Sequence, residues 1–206
     1  MEMERRHLPL EIRVERRDDG AAVIVGHAAV FGQLSEDLGG FREQIMPGAF
    51  ADALQSDDVR ALWNHNPDYV LGRNRSNTLT MSEDSRGLAI EIVPPDTQTI
   101  RDLVLAPMER GDVSQMSFAF SVRPGGQDWA KDDAGQVVRT LKRLRLFDVS
   151  PVTYPAYPQT DVSVAQRSMQ CALAEALQQD EEAQKVLRRF VMHEHARKRQ
   201  RLAELR

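Results

Sequence analysis

From about residue 8 to residue 165 the chain strings together short β-rich runs, each closed by Asn, Asp, Gly or Pro, and only two stretches between them carry helical spacing. That ratio rules out repeated βαβ units, which need a helix after nearly every strand. It predicts an α+β fold, mainly β with helices, in which a mostly antiparallel, barrel-like sheet carries helices packed on its outside. "LEIRVER" alternates apolar and charged residues as a half-buried strand does, and "DDG" offers a hairpin turn into "AAVIVGHAAVF". Further strands are expected at "VRALWNH", "YVLGR", "TLTMSED", "GLAIEIVP", "VSQMSFAFSVR" and "VVRTLKRLRLFDVSPV". "LGGFREQIMPGAFADALQ" begins as loop or short strand, and Pro47 can open a short helix through Phe50 and Leu54. In "TQTIRDLVLAPMERG", Ile100, Leu103, Val104 and Met108 are spaced helically. Thr97 or Thr99 caps that helix, Gly111 stops it, and Pro107 must kink or end it.

Beyond residue 164 the character changes. Residues 166–206 contain no Gly or Pro and are dominated by Ala, Leu, Gln, Glu and Arg, which predicts a long C-terminal helix. Residues 1–165 carry 18 basic and 25 acidic side chains, whereas residues 166–206 carry 9 and 6. The expected division is therefore an acidic domain, 1–165, and a basic helical tail, 166–206, joined through the proline-rich "PVTYPAYPQTD". The basic end "ARKRQR" reads as a solvated helix face, with an acidic partner or nucleic acid as the competing uses; the acidic main domain disfavours nucleic acid. No apolar run approaches the ~20 residues that cross a bilayer, and "MEMERRHLPLEIRV" lacks the apolar core of a signal peptide, so a cytoplasmic protein without membrane attachment is expected. The single cysteine, Cys171, excludes an internal disulfide framework and sits on a helix face, which argues against a cysteine nucleophile. "HEH" at 193–195 points its histidines to different helix faces, so no metal pair is expected there.

Chemistry concentrates in three places. "GDVSQMSFAFSVRP" sets Met116, Phe118, Phe120 and Val122 on one face of a strand and turns Ser117, Ala119 and Ser121 to the other, so Ser117 lies among small side chains where a substrate or a partner group can approach. His65, in "ALWNHNPDYVLGR", falls at a strand end before a turn-forming Asn-Pro, where a rigid strand would hold the imidazole beside a loop that admits substrate. A serine hydroxyl becomes a useful nucleophile once a neutral imidazole can take its proton, which makes the pair meaningful. Asp148, between Phe147 and Val149, is a carboxylate that needs a partner and could fix the imidazole's tautomer. Ser114, beside Asp112 at the strand's start, is the rival nucleophile, and turn capping explains it. Ser150, Thr153 and Tyr154 could shape the floor of such a site, and backbone N–H groups or an arginine would supply oxyanion donors.

The words "GHAAVFG", "FREQIMPGAF", "LWNHNPDYVLGR", "DSRGLAIEI", "RGDVSQMSFAF" and "FDVSPVTYPAYPQTDV" stand in the order in which the prohead (procapsid maturation) proteases of tailed bacteriophages carry them, and over residues 10–165 the chain resembles that family. The family is similar to the herpesvirus maturation proteases, so the resemblance implies a mostly antiparallel β-barrel surrounded by helices. It implies a serine endopeptidase without a cofactor, with His65 of "NHN" as general base and Ser117 of "MSF" as nucleophile. The acidic residue before "VSPV" is commonly Glu in the family and is Asp148 here, one methylene shorter; it would orient His65. A Ser/His/His triad of the herpesvirus kind would have to recruit His193, His195 or His27, and is disfavoured. The implied substrates are the scaffolding protein, the N-terminal part of the major capsid protein, or both, with self-processing. The implied place is the host cytoplasm, inside the procapsid, and a homodimer is possible by analogy. The rival from another class is a non-catalytic internal scaffold built on the same barrel.

Overall fold

The computed structural model describes residues 3–8, 12–38, 40–154 and 170. Twelve strands alternate with short helical pieces: β1 (Glu4–Leu8), β2 (Arg13–Arg16), β3 (Ala22–Val30), β4 (Arg42–Ile45), α1 (Ala51–Ser56), β5 (Arg60–Trp63), β6 (Asn66–Arg73), β7 (Leu79–Glu83), β8 (Gly87–Ile92), α2 (Gln98–Ile100), α3 (Ala106–Glu109), β9 (Gln115–Val122), β10 (Gln127–Lys131), β11 (Val137–Leu141) and β12 (Leu144–Val152). They form three sheets, ordered β1-β9-β12-β5-β6, β10-β11-β4 and β2-β3-β8-β7. The barrel expected from the strand list is therefore wrong. None of the three sheets closes on itself, and the pairs β12/β5 and β11/β4 are parallel within an otherwise antiparallel set. Period-two alternation fixes which face of a strand is buried; it leaves the choice of neighbour open, and here the neighbours divide among three sheets. Of the expected C-terminal helix only Gln170 is described, as helical, and the boundary at 165/166 falls outside the described residues.

The last predicted strand shows how the division arises. "VVRTLKRLRLFDVSPV" is two strands in two sheets, β11 and β12, broken at Lys142 and Arg143, whose N–H groups both turn onto the Gly126 carbonyl at 2.7 and 3.1 Å. The backbone crowds that corner: a side chain at Gly126 would put its Cβ 2.2 Å from the Arg143 carbonyl oxygen, so only glycine fits. The "DDG" hairpin joins β2 to β3 as expected, with Gly20 at φ 82. The helix over "TQTIRDLVLAPMERG" is capped by Thr97 and ended at Gly111, φ 82, also as expected. Pro107 does not end it. Instead, residues Arg101–Leu105 widen into a π turn just ahead of the proline, whose ring otherwise clashes with the carbonyl four residues back. Pro47 likewise lies one turn early. Met46–Ala49 forms a β-turn, and α1 begins at Ala51, its entrance held by Glu83 of β7, whose carboxylate accepts the Gly48 and Phe50 N–H groups at 2.9 and 2.8 Å.

β9 organises the core. Met116, Phe118 and Phe120 are fully buried. The Phe118 ring stacks on Phe120 at 5.1 Å and meets Phe50, just before α1, edge-on at 5.8 Å. Burying aromatic rings of this size is among the larger contributions a core receives. The same face holds a cluster that the sequence reading did not anticipate. β1, "ERRHL", is too charged to read as a strand, yet Glu4 and Arg6 are buried on it beside Glu43 of β4 and the wholly buried Arg139 of β11. Arg6 binds Glu43 at 2.8 Å and Glu4 at 2.8 Å; Arg139 binds Glu4 at 2.7 and 2.8 Å and Glu43 at 2.9 Å. Two guanidiniums against two carboxylates leave no net charge, the condition under which such groups survive burial.

Candidate active site

Ser117 is on β9, and its neighbours in the sheet carry what surrounds it. On β12, Ser150 stands directly opposite Ser117 and Asp148 opposite Ala119. This register exists because of a bulge at Phe147: Leu146 pairs with Phe120, and the next paired residue is Asp148. Without the extra residue, regular antiparallel pairing would set Asp148 against Phe118 on the core face; with it, the carboxylate moves to the face of Ser117.

His65 comes from the next strand pair. The sequence suggested a strand end, but Asn64 and His65 are themselves the two-residue loop between β5 and β6, with Trp63 paired to Asn66 across it. Both have left-handed backbone, φ 53 and φ 56, the conformation of a type I′ hairpin turn. Asn-Gly is the ordinary sequence of such a turn. A histidine in the glycine position costs conformational energy, and strain of this kind collects at functional sites. Asn64 ties the turn down: its N–H donates to the Pro151 carbonyl at 3.0 Å, its Nδ2 to Thr153 Oγ1 at 3.1 Å, and its Oδ1 accepts the Thr153 N–H at 2.8 Å. The loop is thus fastened to the end of the strand that bears Asp148.

The result is a continuous chain of hydrogen bonds. His65 Nδ1 lies 2.5 Å from Asp148 Oδ1, and His65 Nε2 lies 2.7 Å from Ser117 Oγ. A carboxylate can only accept, so the ring proton sits on Nδ1, and Nε2 is left with its lone pair toward the serine hydroxyl. Ser150 Oγ donates to the same Asp148 oxygen at 2.7 Å, which holds the carboxylate in place. Ser117 and Asp148 are 1% and 7% exposed, so water competes little for these bonds.

The three residues singled out from the sequence therefore meet. Ser114 does not join them; it precedes β9 with its side chain exposed. His27 is in another sheet, where its Nε2 binds Asp84 Oδ2 at 2.8 Å; that bond, with the Gly87 and Arg86 N–H groups, holds the Asp84 carboxyl down at about 2. Ser150 and Thr153 line the site as bonding partners, whereas Tyr154 is 79% exposed. His193, His195 and Cys171 are outside the described residues. Asn64 was missed, although Asn opening a two-residue loop between strands is itself the mark of a type I′ turn. Among the described residues no cluster of three His, Cys, Asp or Glu could hold a metal ion, and no helix is long and apolar enough to cross a membrane.

Comparisons with curated proteins and with solved structures give no match. Residues 9–175 match the family described as Caudovirus prohead serine protease, whose role is proteolysis in procapsid maturation. That match covers most of the chain, and with it the chain belongs to the prohead serine proteases of tailed phages.

Proposed function

We propose that the chain is a serine endopeptidase in which Ser117 is the nucleophile, His65 the general base and acid, and Asp148 the group that orients and charge-stabilises His65. The observation that carries this reading is the unbroken chain Ser117 Oγ, His65 Nε2, His65 Nδ1, Asp148 Oδ1. In acylation, Ser117 Oγ attacks the scissile carbonyl carbon while its proton passes to His65 Nε2. The imidazolium, stabilised across Nδ1 by Asp148, then protonates the leaving amine, and the peptide C–N bond breaks. Water, activated by the same imidazole, releases the acyl group and restores the hydroxyl. No cofactor enters these steps. Asp148 serves in place of the family's more common Glu because the bulge brings its shorter side chain within reach of Nδ1.

The substrates that fit this reading are the scaffolding protein and the N-terminal part of the major capsid protein, cut inside the procapsid in the host cytoplasm, with removal of part of the enzyme's own chain near the composition change at residues 164–166. The test is co-expression with the cognate capsid and scaffolding proteins, read by intact mass, for wild type, Ser117→Ala and His65→Ala. Cleavage by the wild type alone is expected. Capsids that assemble from full-length proteins in all three cases would instead make the fold an internal scaffold.

A further inference from the structure

The catalytic face does not end at the triad. Arg145 of β12 stands directly opposite Ser121, on the face of Ser117, and Ser121 is four residues along β9 from the nucleophile, about 14 Å at the usual strand rise. There a cleft of about 450 Å³ opens, lined by Asp57, Arg123, Pro124, Arg143 and Arg145. Two of its three guanidiniums are engaged. Arg123 binds Asp57 at 2.7 Å and the Leu144 carbonyl at 3.0 Å, and the other Asp57 oxygen takes the Leu146 N–H at 2.9 Å. Arg143 binds Asp52 at 2.7 Å. Arg145 has no carboxylate partner among the described residues. Its guanidinium lies 5.1 Å from the centre of the Phe147 ring, which orients the planar group and, among the described residues, leaves its N–H fork to a ligand.

We propose that this cleft is a subsite for an acidic side chain of the substrate, with Arg145 as the group that binds the carboxylate. It rests on the protease reading above. With three cations against Asp57 and Asp52, the cleft keeps one positive charge in excess although the whole chain is at −4. A fixed guanidinium fork binds a carboxylate through two parallel bonds. An extended peptide covers about 3.3 to 3.6 Å per residue, so a substrate chain that passes outside the buried Ala119 and Ser121 and reaches Arg145 places a Glu or Asp there at least about four residues from the scissile bond. Phe147 links the two sites: the residue that stacks on Arg145 is the bulge that turns Asp148 toward His65.

The experiment uses the full chain and 20-residue peptides spanning the cut mapped in the capsid or scaffolding protein, with Glu, Gln or Lys placed at each position three to five residues to either side. At one position the wild type is expected to show a KM about tenfold lower for Glu than for Gln, a difference that shrinks as salt rises. Arg145→Ala should erase that difference, and Arg145→Glu should reverse it in favour of the Lys peptide, an outcome that general misfolding cannot produce. A wild type that cleaves every peptide alike, or an Arg145→Glu variant that keeps the preference for Glu, overturns the subsite and leaves the protease standing. Cleavage that survives Ser117→Ala overturns the protease reading, and the subsite with it.

Discussion

The sheet that contains β1, β9 and β12 has buried polar groups against both of its faces, and the two sets behave oppositely. On the core face, Glu4, Arg6, Glu43 and Arg139 satisfy one another: every charge meets an opposite charge, and the set joins the five-stranded sheet to the three-stranded one. On the other face, Asp148, His65 and Ser117 form an open series with the carboxylate at one end and a hydroxyl at the other. A closed set of charges resists change, since moving any member exposes the rest. An open series ending on a nucleophile can pass a proton along itself when a substrate arrives. Burial of polar groups thus serves rigidity on one side of the sheet and reactivity on the other, and the difference lies in whether the bonds close.

The largest expected effect separates the two faces. Ser117→Ala should lower kcat by about four orders of magnitude or more while leaving the melting temperature within a few degrees, measured on the purified full chain with the mapped peptide. Arg139→Ala should do the reverse. It leaves Glu4 and Glu43 to share Arg6, one buried negative charge in excess, and should cost about 3 to 5 kcal/mol of stability by urea unfolding, with the folded remainder still cleaving. A Ser117→Ala protein that unfolds, or an Arg139→Ala protein of wild-type stability, would break the comparison.

The two faces were unequally legible in the sequence. The catalytic face was legible because its residues are chemically unusual where they stand, a serine within an apolar strand, a histidine at a strand end before Asn-Pro, an aspartate between Phe147 and Val149. The family words then fixed the roles expected of Ser117 and His65. Their meeting depends on the Phe147 bulge, which no alternation pattern announces. The core-face cluster was illegible because "ERRHL" looks solvated until Glu43 and Arg139, more than 35 residues away, neutralise it. The barrel failed for a related reason. Strand number and alternation are local properties, whereas closure depends on corners such as Gly126, where the chain leaves the five-stranded sheet and β10 and β11 join β4 in another.

A smaller effect sharpens the picture of the reactive face. Asn64→Gly keeps the left-handed turn but removes both side-chain bonds to Thr153, so the turn should survive while His65 is held less firmly. We expect kcat to fall about tenfold with KM nearly unchanged. Asn64→Asp, whose carboxylate can accept both the N–H and the hydroxyl of Thr153, should recover most of it. An equal loss in both variants would mean that the amide does more than position the loop.

The smallest effect concerns acid. Burial pushes the Glu4 carboxyl upward, but the hydrogen bond and charge of Arg139, with those of Arg6, outweigh it and hold the group below its ordinary value of 4.5. A carboxyl whose folded value is depressed contributes stability in full above the unfolded value and loses it as pH falls through the folded one. The core-face cluster should therefore weaken as pH drops below about 4.5, and the melting temperature should fall more steeply there in the wild type than in Glu4→Gln, which has no proton to take up at that position. The slope of melting temperature against pH is the quantity to compare, because Glu4→Gln lowers the temperature at every pH by leaving Arg139 short of charge. Equal slopes would show that Glu4 takes up its proton at the same pH in the folded and unfolded chains, and the closed set would then contribute geometry without acid-sensitive stability.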